Sequence, residues 1–365
     1  MGRYVYNLLR ALGELEHPHR LLALHNPALP NRRFDMAALA ALPSLELVET
    51  TARPFRPGEH LAIPRLLRRL GADCYHATYY VRPYVGLPCP AVTTLYDIIP
   101  RLFPGEASQN ARLMFDSLTR LALRFSQRLI AISASARDDF AAAYRVPPGR
   151  IAVTPLAADP RFRPLPAAEQ AAARARYGLP ERYILTLSSN KPHKNLPALV
   201  EAYALLVAQE SNSTLNTQHS KLLIAGHWDP RYPEARLAAE RLGLGGRVLF
   251  LHGVADADLP ALYSGAELFV YPSRYEGFGL PPLEALACGL PVVCGGASSL
   301  PEVVGDAALL VDPADPAALA DGMRRALADE ALRARLRAAA PLQAARFSWR
   351  RTAELTLRVY ERVEF

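Results

Sequence analysis

Short runs of apolar residues alternate with longer amphipathic stretches along almost the whole chain. This alternation is typical of βα units, in which buried parallel strands are joined by helices that cover the sheet. In the first half, the pattern predicts strands near 20–26, 45–50, 72–77, 90–96, 128–133 and 150–155, and helices at 2–16, 59–71, 108–126 and 134–145. The expected fold class is therefore α/β.

A proline-rich segment interrupts this pattern. Residues 155–170 contain four prolines, and such segments commonly separate domains. A second series of strands follows, near 182–188, 221–225, 247–252, 267–271, 291–294 and 307–311. We therefore expect two doubly wound domains, over 1–160 and 161–347, followed by a C-terminal helix over 348–365.

Two segments depart from the pattern. The chain begins directly with helical sequence, whereas a doubly wound domain opens with a buried strand and a glycine-rich turn. We interpret the first strand as missing, as in a fragment or a sequence with its start codon assigned too late. Residues 210–220 are polar and are expected to form a solvated loop. They contain the sequon Asn212-Ser213-Thr214, which has no glycosylation context without a secretory signal.

The composition excludes several classes of protein. The chain has 365 residues, of which 50% are hydrophobic and 21% are charged, so it can bury real cores and is neither disordered nor fibrous. Its four cysteines show no spacing typical of a disulfide framework or a zinc site. No apolar run reaches the roughly 18 residues of a membrane-spanning helix, and no signal peptide is evident. A cytoplasmic protein is expected.

The net charge of +7 lies entirely in the first half of the chain. Residues 1–150 contain 19 arginines and no lysine against 12 acidic residues, whereas residues 151–365 contain 23 basic and 23 acidic residues. Either a general preference for arginine or a basic face for an anionic surface explains the excess. The basic residues are dispersed and no nucleic-acid module is recognisable, so we expect no nucleic-acid partner.

The densest candidate chemistry lies in residues 267–296. A predicted strand is followed by a loop with Glu276, Gly277 and Gly279, and then by a helix. Glycines at the start of a helix allow backbone N–H groups to approach an anion. Glu284 lies about two helical turns after Glu276, so both carboxylates can face one ligand. We predict a phosphate or sugar-phosphate site with carboxylates that bind hydroxyl groups.

A second loop, residues 188–195, also follows a predicted strand and opens a helix. It contains Lys191 and Lys194, whose ammonium groups can neutralise a diphosphate. We expect His193, between them, to be a solvated loop residue.

The first half has a candidate site of its own. Asp97 follows the predicted strand at 90–96, and His76 ends the preceding strand. Open α/β sheets bind ligands at the carboxyl ends of their strands. Two neighbouring aromatic residues, Tyr79 and Tyr80, are candidates for a surface on which a sugar ring stacks.

The segment from Glu276 to Glu284 resembles the E-x7-E signature of retaining glycosyltransferases of family 4. The flanking sequences FVYPSRYEGFGLPPLEALACGLPVV and LPEVVGDAALLVDP are similar to that family almost residue by residue. The similarity extends over nearly the whole chain, from GRYVYNLLRAL through ISASARDDF and the lysine loop. With these flanks, the match is far more specific than the E-x7-E spacing alone.

The resemblance implies a GT-B architecture, in which two Rossmann-like domains face each other across a cleft. The second domain would hold the nucleotide-sugar donor and the first the acceptor, and the C-terminal helix would cross back to the first domain. The implied catalytic residues are Glu276, Asp97 and Tyr96. The implied donor-binding residues are Ser189, Lys191, Lys194, Gly277, Phe278, Gly279, Leu280 and Glu284, and the implied acceptor-side residues are Gly2, His76 and Tyr79.

The resemblance also implies separate roles within the donor site, with two departures from the family. Glu276 would hold the donor sugar, Glu284 the ribose, and Lys194 with Lys191 the diphosphate. The family often has arginine at the position of Ser189, where Lys191 is expected to substitute. It often has histidine where Tyr96 stands. Tyrosine can donate a hydrogen bond but cannot carry a proton near neutral pH.

No covalent intermediate is expected, because the resemblance places Glu276 at sugar hydroxyls rather than at the anomeric carbon. The acceptor hydroxyl would attack on the face from which the nucleoside diphosphate leaves, and a donor phosphate oxygen would accept its proton. The protein would position the substrates and neutralise the leaving charge. Asp256-Ala257-Asp258 matches the D-x-D metal motif, but these acids are expected to cap the next helix. No metal or cofactor is expected.

The expected function is that of a retaining, metal-independent hexosyltransferase. GDP-mannose is the favoured donor, ahead of UDP-glucose or a dTDP-deoxysugar, and the acceptor would be a polysaccharide, an oligosaccharide or a lipid-linked glycan. The basic amphipathic stretches 60–71 and 111–130 are either helices that cover the sheet or a face for an anionic membrane, which would make the enzyme peripheral on the inner face of the membrane. The alternative is a non-catalytic nucleotide-sugar-binding or scaffolding subunit.

Overall fold

The structure is a computed structural model that describes residues 1–31, 33–210 and 220–363. Each strand predicted from the hydrophobic pattern is present, although several are shorter than predicted. The α/β class is confirmed. Residues 211–219, which contain the sequon and most of the predicted polar loop, lie outside the described residues.

The chain divides into two compact units. The first contains Met1–Leu156 together with Phe347–Phe365, and the second contains Ala157–Arg346. The hydrophobic pattern predicts divisions at 160/161 and 347/348, within the same proline-rich segment and just before the last helix.

The strands of the first unit are all parallel to their neighbours, and in the described residues they form two sheets. The smaller sheet pairs β1 (Leu21–His25) with β2 (Leu45–Glu49), and the larger has the order β3 (Tyr75–Ala77), β4 (Ala91–Leu95), β5 (Arg128–Ala131), β6 (Ile151–Val153). All five residues of β4 are buried, as expected for a parallel strand with helices on both faces.

Helices connect these strands. They are α1 (Gly2–Glu14), α2 (Met36–Ala40), α3 (Glu59–Leu70), α4 (Ile99–Leu102), α5 (Gln109–Phe125) and α6 (Ala134–Tyr144). The hydrophobic pattern does not predict the short helices α2 and α4, because four or five residues do not span enough turns to show a helical period.

The sheet of the first unit is interrupted between β1 and β3. A doubly wound strand order would place one further strand between them. Leu24 of β1 and Tyr75 of β3 nevertheless pack in one apolar cluster with Ile63 and Leu67 of α3. The two parts of the sheet therefore share a core without sharing a hydrogen-bonded ladder.

The second unit contains one continuous parallel sheet in the described residues. Its strand order is β12 (Ala308–Val311), β11 (Val292–Gly295), β10 (Leu268–Tyr271), β7 (Tyr183–Leu187), β8 (Lys221–Ala225), β9 (Val248–Leu251). One face packs on an apolar core in which Leu199, Leu222 and Met323 are fully buried.

The helices of the second unit lie between and after these strands. They are α7 (Ala167–Tyr177), α8 (Leu196–Glu210), α9 (Glu234–Arg241), α10 (Leu259–Gly265), α11 (Leu280–Ala287), α12 (Leu300–Val304), α13 (Pro316–Ala328) and α14 (Glu330–Ala344). Among the described helices of the whole chain, none combines the length and the apolar character needed to cross a bilayer.

The last helix, α15 (Trp349–Glu361), belongs to the first unit and packs beside α1. The Thr352 hydroxyl donates a hydrogen bond to the carbonyl oxygen of Pro155 at 2.6 Å. Val359 packs in a cluster with Val92 of β4 and Ile130 of β5. The C-terminal segment is thus part of the core of the first unit.

A close backbone approach in the second unit gives a stability prediction. Gly226, directly after β8, has φ +136°, and a Cβ atom there would lie 2.1 Å from the carbonyl oxygen of Ser188. We expect Gly226→Ala to lower the free energy of unfolding by about 3 kcal/mol or more, since it adds a clash to backbone strain. Thermal unfolding followed by circular dichroism should show a midpoint lowered by roughly 6 °C or more.

Gly243 provides the control for this experiment. It also has a positive φ, of +64°, but a Cβ atom there would meet nothing within 4 Å. Gly243→Ala should cost only about 1 kcal/mol. Equal losses in the two variants would show that the contact with Ser188 does not constrain the fold.

Candidate functional site

The sheet of the second unit reverses its strand order between β7 and β10. These two strands are neighbours, with Leu268 paired to Ile184, but the chain continues from β7 to one side and from β10 to the other. Loops that diverge in this way open a crevice at the carboxyl ends of the strands, where α/β proteins bind ligands. The loops concerned are 188–195, which is the predicted lysine loop, and 272–279, which lies within the predicted site at 267–296.

An ion pair joins the two loops. Lys194 Nζ lies 2.6 Å from Glu276 Oε1 and donates a second hydrogen bond to the Tyr271 hydroxyl at 3.2 Å. The Lys194 and Glu276 side chains are only 15% and 10% exposed. An ammonium group has three donors, and two of those of Lys194 have acceptors among the described residues, so the third is available to a ligand.

The environment fixes the charge of these groups. Burial opposes ionisation of Glu276, but the charge and the hydrogen bond of Lys194 outweigh it and hold the pKa of Glu276 below its ordinary value. Burial, together with the nearby Glu276 charge, raises the pKa of Tyr271 well above its ordinary value. Glu276 is therefore an ionised hydrogen-bond acceptor, and Tyr271 stays protonated.

Two serines that the sequence analysis did not select hold the Glu276 loop in place. The Ser298 hydroxyl accepts a hydrogen bond from the Glu276 N–H at 2.8 Å and donates to its carbonyl oxygen at 3.0 Å. The Ser299 hydroxyl donates to the carbonyl oxygens of Glu276 and Phe278 at 2.9 and 2.7 Å. Their only sequence signal is a serine pair just after a predicted strand, which is too common to identify a site.

The loop ends at the N-terminus of α11. Gly279 has φ +110°, and a Cβ atom there would lie 2.8 Å from a Leu300 methyl group, so this position requires glycine. Leu280 begins the helix, and Pro281 and Pro282 follow it. Because proline has no N–H, the amide donors at this helix end come from residues 277–280.

Glu284 lies in the second turn of α11 and is 1% exposed. The Tyr263 hydroxyl donates a hydrogen bond to its Oε2 atom at 3.2 Å. Glu276 therefore lies in the loop that leads into α11, and Glu284 lies in that helix, as predicted from the sequence. The ribose-binding role of Glu284 stays a prediction.

In the loop that follows β7, Ser189 is half-buried and Lys191 is exposed, with no ion-pair partner among the described residues. Asn190 holds the loop by accepting a hydrogen bond from the Asp229 N–H and donating one to the Asp229 carbonyl oxygen, both at 2.7 Å.

The prediction that His193 is solvated is wrong. It is 3% exposed, and its carbonyl oxygen accepts a hydrogen bond from the Arg274 N–H at 2.8 Å.

The first unit places Tyr96 and Asp97 directly after β4. The Tyr96 hydroxyl donates to the carbonyl oxygen of Thr78 at 2.8 Å, and burial raises its pKa well above the ordinary value. Asp97 Oδ1 accepts a hydrogen bond from the Ile99 N–H at 3.0 Å, at the start of α4. The tyrosine is thus anchored to the neighbouring strand end.

His76 on β3 has both ring nitrogens engaged within the first unit. Nδ1 lies 2.6 Å from the Tyr360 hydroxyl of α15, and Nε2 lies 2.8 Å from the Thr94 hydroxyl, which is 3.1 Å from the Tyr4 hydroxyl. Burial lowers the pKa of His76 to about 4, so the ring is neutral at pH 7. This network joins α1, β3, β4 and α15.

Aromatic rings surround this strand end. The Tyr79 ring lies 4.1 Å from that of Tyr80 and 6.1 Å from that of Tyr96, measured between centroids. Gly2, at the start of α1, is covered by Phe34, whose ring would lie 2.9 Å from a Cβ atom. Tyr79, Tyr96 and Asp97 therefore belong to one part of the first unit.

The D-x-D segment is used within the protein. Asp258 occupies the N-cap position of α10, as expected, but its side chain makes no capping hydrogen bond. Instead, its two oxygens accept hydrogen bonds from Arg176 at 2.6 and 2.7 Å, and one also accepts from the Tyr177 hydroxyl. Within residues 1–31, 33–210 and 220–363, no three His, Cys, Asp or Glu side chains are grouped so that they could hold a metal ion.

Comparison with protein families accounts for both units. Residues 1–162 match the model of Glycosyltransferase Family 4, and residues 169–343 match that of Glycosyl transferases group 1. O-antigen chain mannosyltransferase B of Escherichia coli is 35% identical over 276 residues, which are 74% of this chain and 70% of that protein. The chain is a member of glycosyltransferase family 4.

Further comparisons agree with this assignment. The serotype-specific mannosyltransferase WbdA of Escherichia coli is 33% identical over 77% of this glycosyltransferase, which covers only 34% of WbdA. Sucrose-phosphate synthase from Thermosynechococcus elongatus has a TM-score of 0.75 and 22% identity, over 98% of this chain and 92% of that one. HepE of Anabaena, solved with UDP and glucose, has a TM-score of 0.74 and 21% identity, over 100% and 96%. The GT-B fold is confirmed.

The ion pair between Lys194 and Glu276 gives a pH-dependent stability prediction for this glycosyltransferase. Glu276→Gln leaves the Lys194 charge nearly buried without a partner, so we expect it to lower the free energy of unfolding by about 3 kcal/mol at pH 7. The depressed pKa of Glu276 adds stability above the ordinary pKa of 4.5, and this stability is lost as the pH falls through the lower, folded-state pKa. Urea denaturation at pH 7 and at pH 3.5, roughly one unit below 4.5, measures both effects.

The exposed carboxylate Glu181, which has no ion-pair partner among the described residues, is the control. Glu181→Gln should change the free energy of unfolding by less than about 0.5 kcal/mol. A Glu276→Gln deficit that stays the same at both pH values would contradict the ionised pair.

Proposed function

We propose that this glycosyltransferase transfers mannose from GDP-mannose to a hydroxyl group of a polysaccharide, an oligosaccharide or a lipid-linked glycan. The transfer retains the anomeric configuration and requires no metal ion. The observation that carries the proposal is the Lys194–Glu276 pair at the point where the sheet of the second unit reverses its strand order.

Mannose as the transferred sugar is supported by the relatives. Two proteins that are 33% and 35% identical to this chain are named as mannosyltransferases, and one of them as an enzyme of the O-antigen chain. HepE was solved with UDP, but at 21% identity it supports only the fold. GDP-mannose is therefore preferred over a UDP-sugar.

Glu276 fits the donor sugar because an ionised carboxylate only accepts hydrogen bonds, and sugar hydroxyls donate them. Its Oε1 atom is held by Lys194 and its main chain by Ser298, so the carboxylate is fixed before the donor binds. A carboxylate held in this way orients the sugar rather than attacking it. Retention then follows from attack by the acceptor on the face from which the diphosphate leaves.

The leaving diphosphate needs positive charge. Glu276 already compensates the single charge of Lys194, whereas Lys191 is exposed and without an ion-pair partner in the described residues. Lys191 and the amides at the N-terminus of α11 would neutralise the charge that develops on the leaving phosphate, and Lys194 would donate its remaining N–H to that phosphate. The acceptor hydroxyl oxygen forms a bond to the anomeric carbon as the bond from that carbon to the phosphate oxygen breaks. A phosphate oxygen of the leaving diphosphate takes the proton of the acceptor hydroxyl.

The acceptor is assigned to the first unit, at the strand end that carries Tyr79, Tyr96 and Asp97. Aromatic faces stack on sugar rings, and the Asp97 carboxylate can accept hydrogen bonds from acceptor hydroxyls. We also propose that the enzyme works at the inner face of the cytoplasmic membrane, since the excess of basic residues lies in this half of the chain.

The donor assignment is tested by calorimetric titration with GDP, UDP and dTDP in the presence of EDTA. GDP should bind most tightly, and Lys194→Met should weaken GDP binding by about tenfold or more, because it removes a charge-assisted hydrogen bond to phosphate. Lys221 is a matched control, since it lies at the opposite, amino end of β8. Lys221→Met should leave GDP binding within about twofold of that of the wild type.

Two results would contradict the donor assignment. One is that no nucleotide binds unless a divalent metal is added. The other is that Lys221→Met weakens GDP binding as much as Lys194→Met does, which would indicate a general effect of charge rather than a site.

The role of Tyr96 gives a separate prediction. Its hydroxyl donates to Thr78 and its pKa is raised, so we expect it to position the strand end rather than transfer a proton. Tyr96→Phe should keep kcat within about threefold of the wild-type value, with an unchanged pH profile. The measurement is GDP release during transfer to a mannooligosaccharide. A loss of 100-fold or more, with a shifted pH optimum, would assign proton transfer to Tyr96.

A further inference from the structure

A cavity of about 270 Å³ lies between α4 and α5 in the first unit, whereas the residues assigned above to the donor belong to the second unit. It is lined by Pro100, Arg101, Gln109, Arg112, Leu113, Phe115 and Asp116. This volume is just below the roughly 300 Å³ at which pockets for drug-sized ligands begin. It suits one charged headgroup rather than a whole glycan or nucleotide sugar.

The cavity contains an uncompensated positive charge. Arg101 Nη1 pairs with Asp116 at 3.2 Å, and Arg120 pairs with the same carboxylate at 3.2 Å. Arg112 has no carboxylate within ion-pair distance among the described residues, and its buried Nε donor makes no hydrogen bond. A single carboxylate thus serves two arginines, while the third has a buried donor without an acceptor, which costs free energy unless an anion completes it.

The position of Arg112 adds to this field. Arg112 lies in the first turn of α5, a helix of 17 residues whose first turn contains no acidic residue. A cation at this end of a helix opposes the helix dipole, whereas an anion is favoured there. The guanidinium fork, the dipole and the unpaired Nε all favour one ligand, an oxyanion with several acceptor oxygens. Phosphate matches the guanidinium geometry.

The surface next to the cavity is apolar. Leu113 and Met114, in the first half of α5, are each 59% exposed, and Leu102 of α4 is 45% exposed. Farther along α5, Leu121 and Phe125 are also exposed, at 39% and 42%. The solvent-facing side of α5 thus carries apolar residues, although another side of the same helix is already buried through Phe115, Thr119, Ala122 and Leu123. Such a helix face beside an anion site fits an amphiphile.

We propose that the cavity between α4 and α5 binds the phosphate of a lipid headgroup, with Arg112 as its principal ligand and Leu113 in contact with the apolar part of the lipid. The inference deepens the proposed function and rests on it in one respect, namely that the enzyme works at a membrane, whose phospholipid supplies this phosphate. Phosphate binding itself does not depend on the nucleotide sugar.

The test is calorimetric titration of the full chain with three phosphate probes. They are inorganic phosphate, mannose 6-phosphate and dihexanoyl phosphatidic acid below its micellar concentration. We expect the lipid phosphate to bind at least tenfold more tightly than the other two. Equal affinity for all three would overturn the lipid assignment, and no binding of any probe would overturn the site.

Variants separate the cavity from general surface charge. Arg112→Gln should weaken binding of all three probes by at least tenfold. Arg145, an exposed residue that follows α6 and does not line the cavity, supplies the control, and Arg145→Gln should change binding by less than twofold. Leu113→Gln should weaken binding of the lipid phosphate about threefold to fivefold and leave inorganic phosphate unchanged. Equal losses for Arg112→Gln and Arg145→Gln would overturn the proposal.

Titration of the same variants with GDP distinguishes this inference from the proposed function. Arg112→Gln should bind GDP as the wild type does, since Arg112 belongs to the other unit. Loss of GDP binding in Arg112→Gln would show that this substitution disturbs the whole protein. It would overturn the proposal that Arg112 acts only as a ligand of the phosphate in the cavity. Failure of wild-type GDP binding with intact binding of the lipid phosphate would contradict only the donor assignment.

Discussion

The ion pair between Lys194 and Glu276 joins two loops that would otherwise diverge, because β7 and β10 send the chain to opposite sides of the sheet. It lies at the place where parallel α/β sheets bind ligands. It also sets the chemistry of the crevice, since a nearly buried lysine keeps a buried carboxylate ionised. The hydroxyl groups of Ser298 and Ser299 then fix the backbone around Glu276. The residues that we propose for the donor are thus held in place by contacts within the protein, which would lower the cost of orienting the sugar.

The hydrophobic pattern predicted the strands of both units, because parallel strands that are buried on both faces consist of short runs of apolar residues. The E-x7-E segment and the lysine loop could be selected from residue type and family resemblance. The pattern could not show that Lys194 would contact Glu276 directly, nor that the main chain of His193 would accept hydrogen bonds from the other loop. Those facts depend on which loops meet in three dimensions. For the same reason, the role of Ser299 could not be predicted from the sequence, since it depends on the carbonyl oxygens of Glu276 and Phe278 that its hydroxyl contacts.

In the first unit, likewise, the sequence did not predict which charged residues would pair with one another. The sequence located the whole net charge in this half, but not its distribution. In the structure, Asp116 compensates both Arg101 and Arg120, whereas Arg112 remains unpaired among the described residues. Likewise, His76 ends a strand as an acceptor-side residue should, yet both of its ring nitrogens are engaged within the unit. Composition and position along the chain identify candidates, and only partner geometry separates those that can bind from those that are already bound.

The central claim is that the crevice between the β7 and β10 loops holds the nucleotide sugar by its diphosphate and its mannose. The most direct measurement is a crystal structure of the complex with GDP-mannose, grown in the presence of EDTA. We expect phosphate oxygens within hydrogen-bond distance of Lys194 and Lys191, and mannose hydroxyls that donate to Glu276. A nucleotide bound elsewhere, or a mannose turned away from Glu276, would show that this crevice is not the donor site.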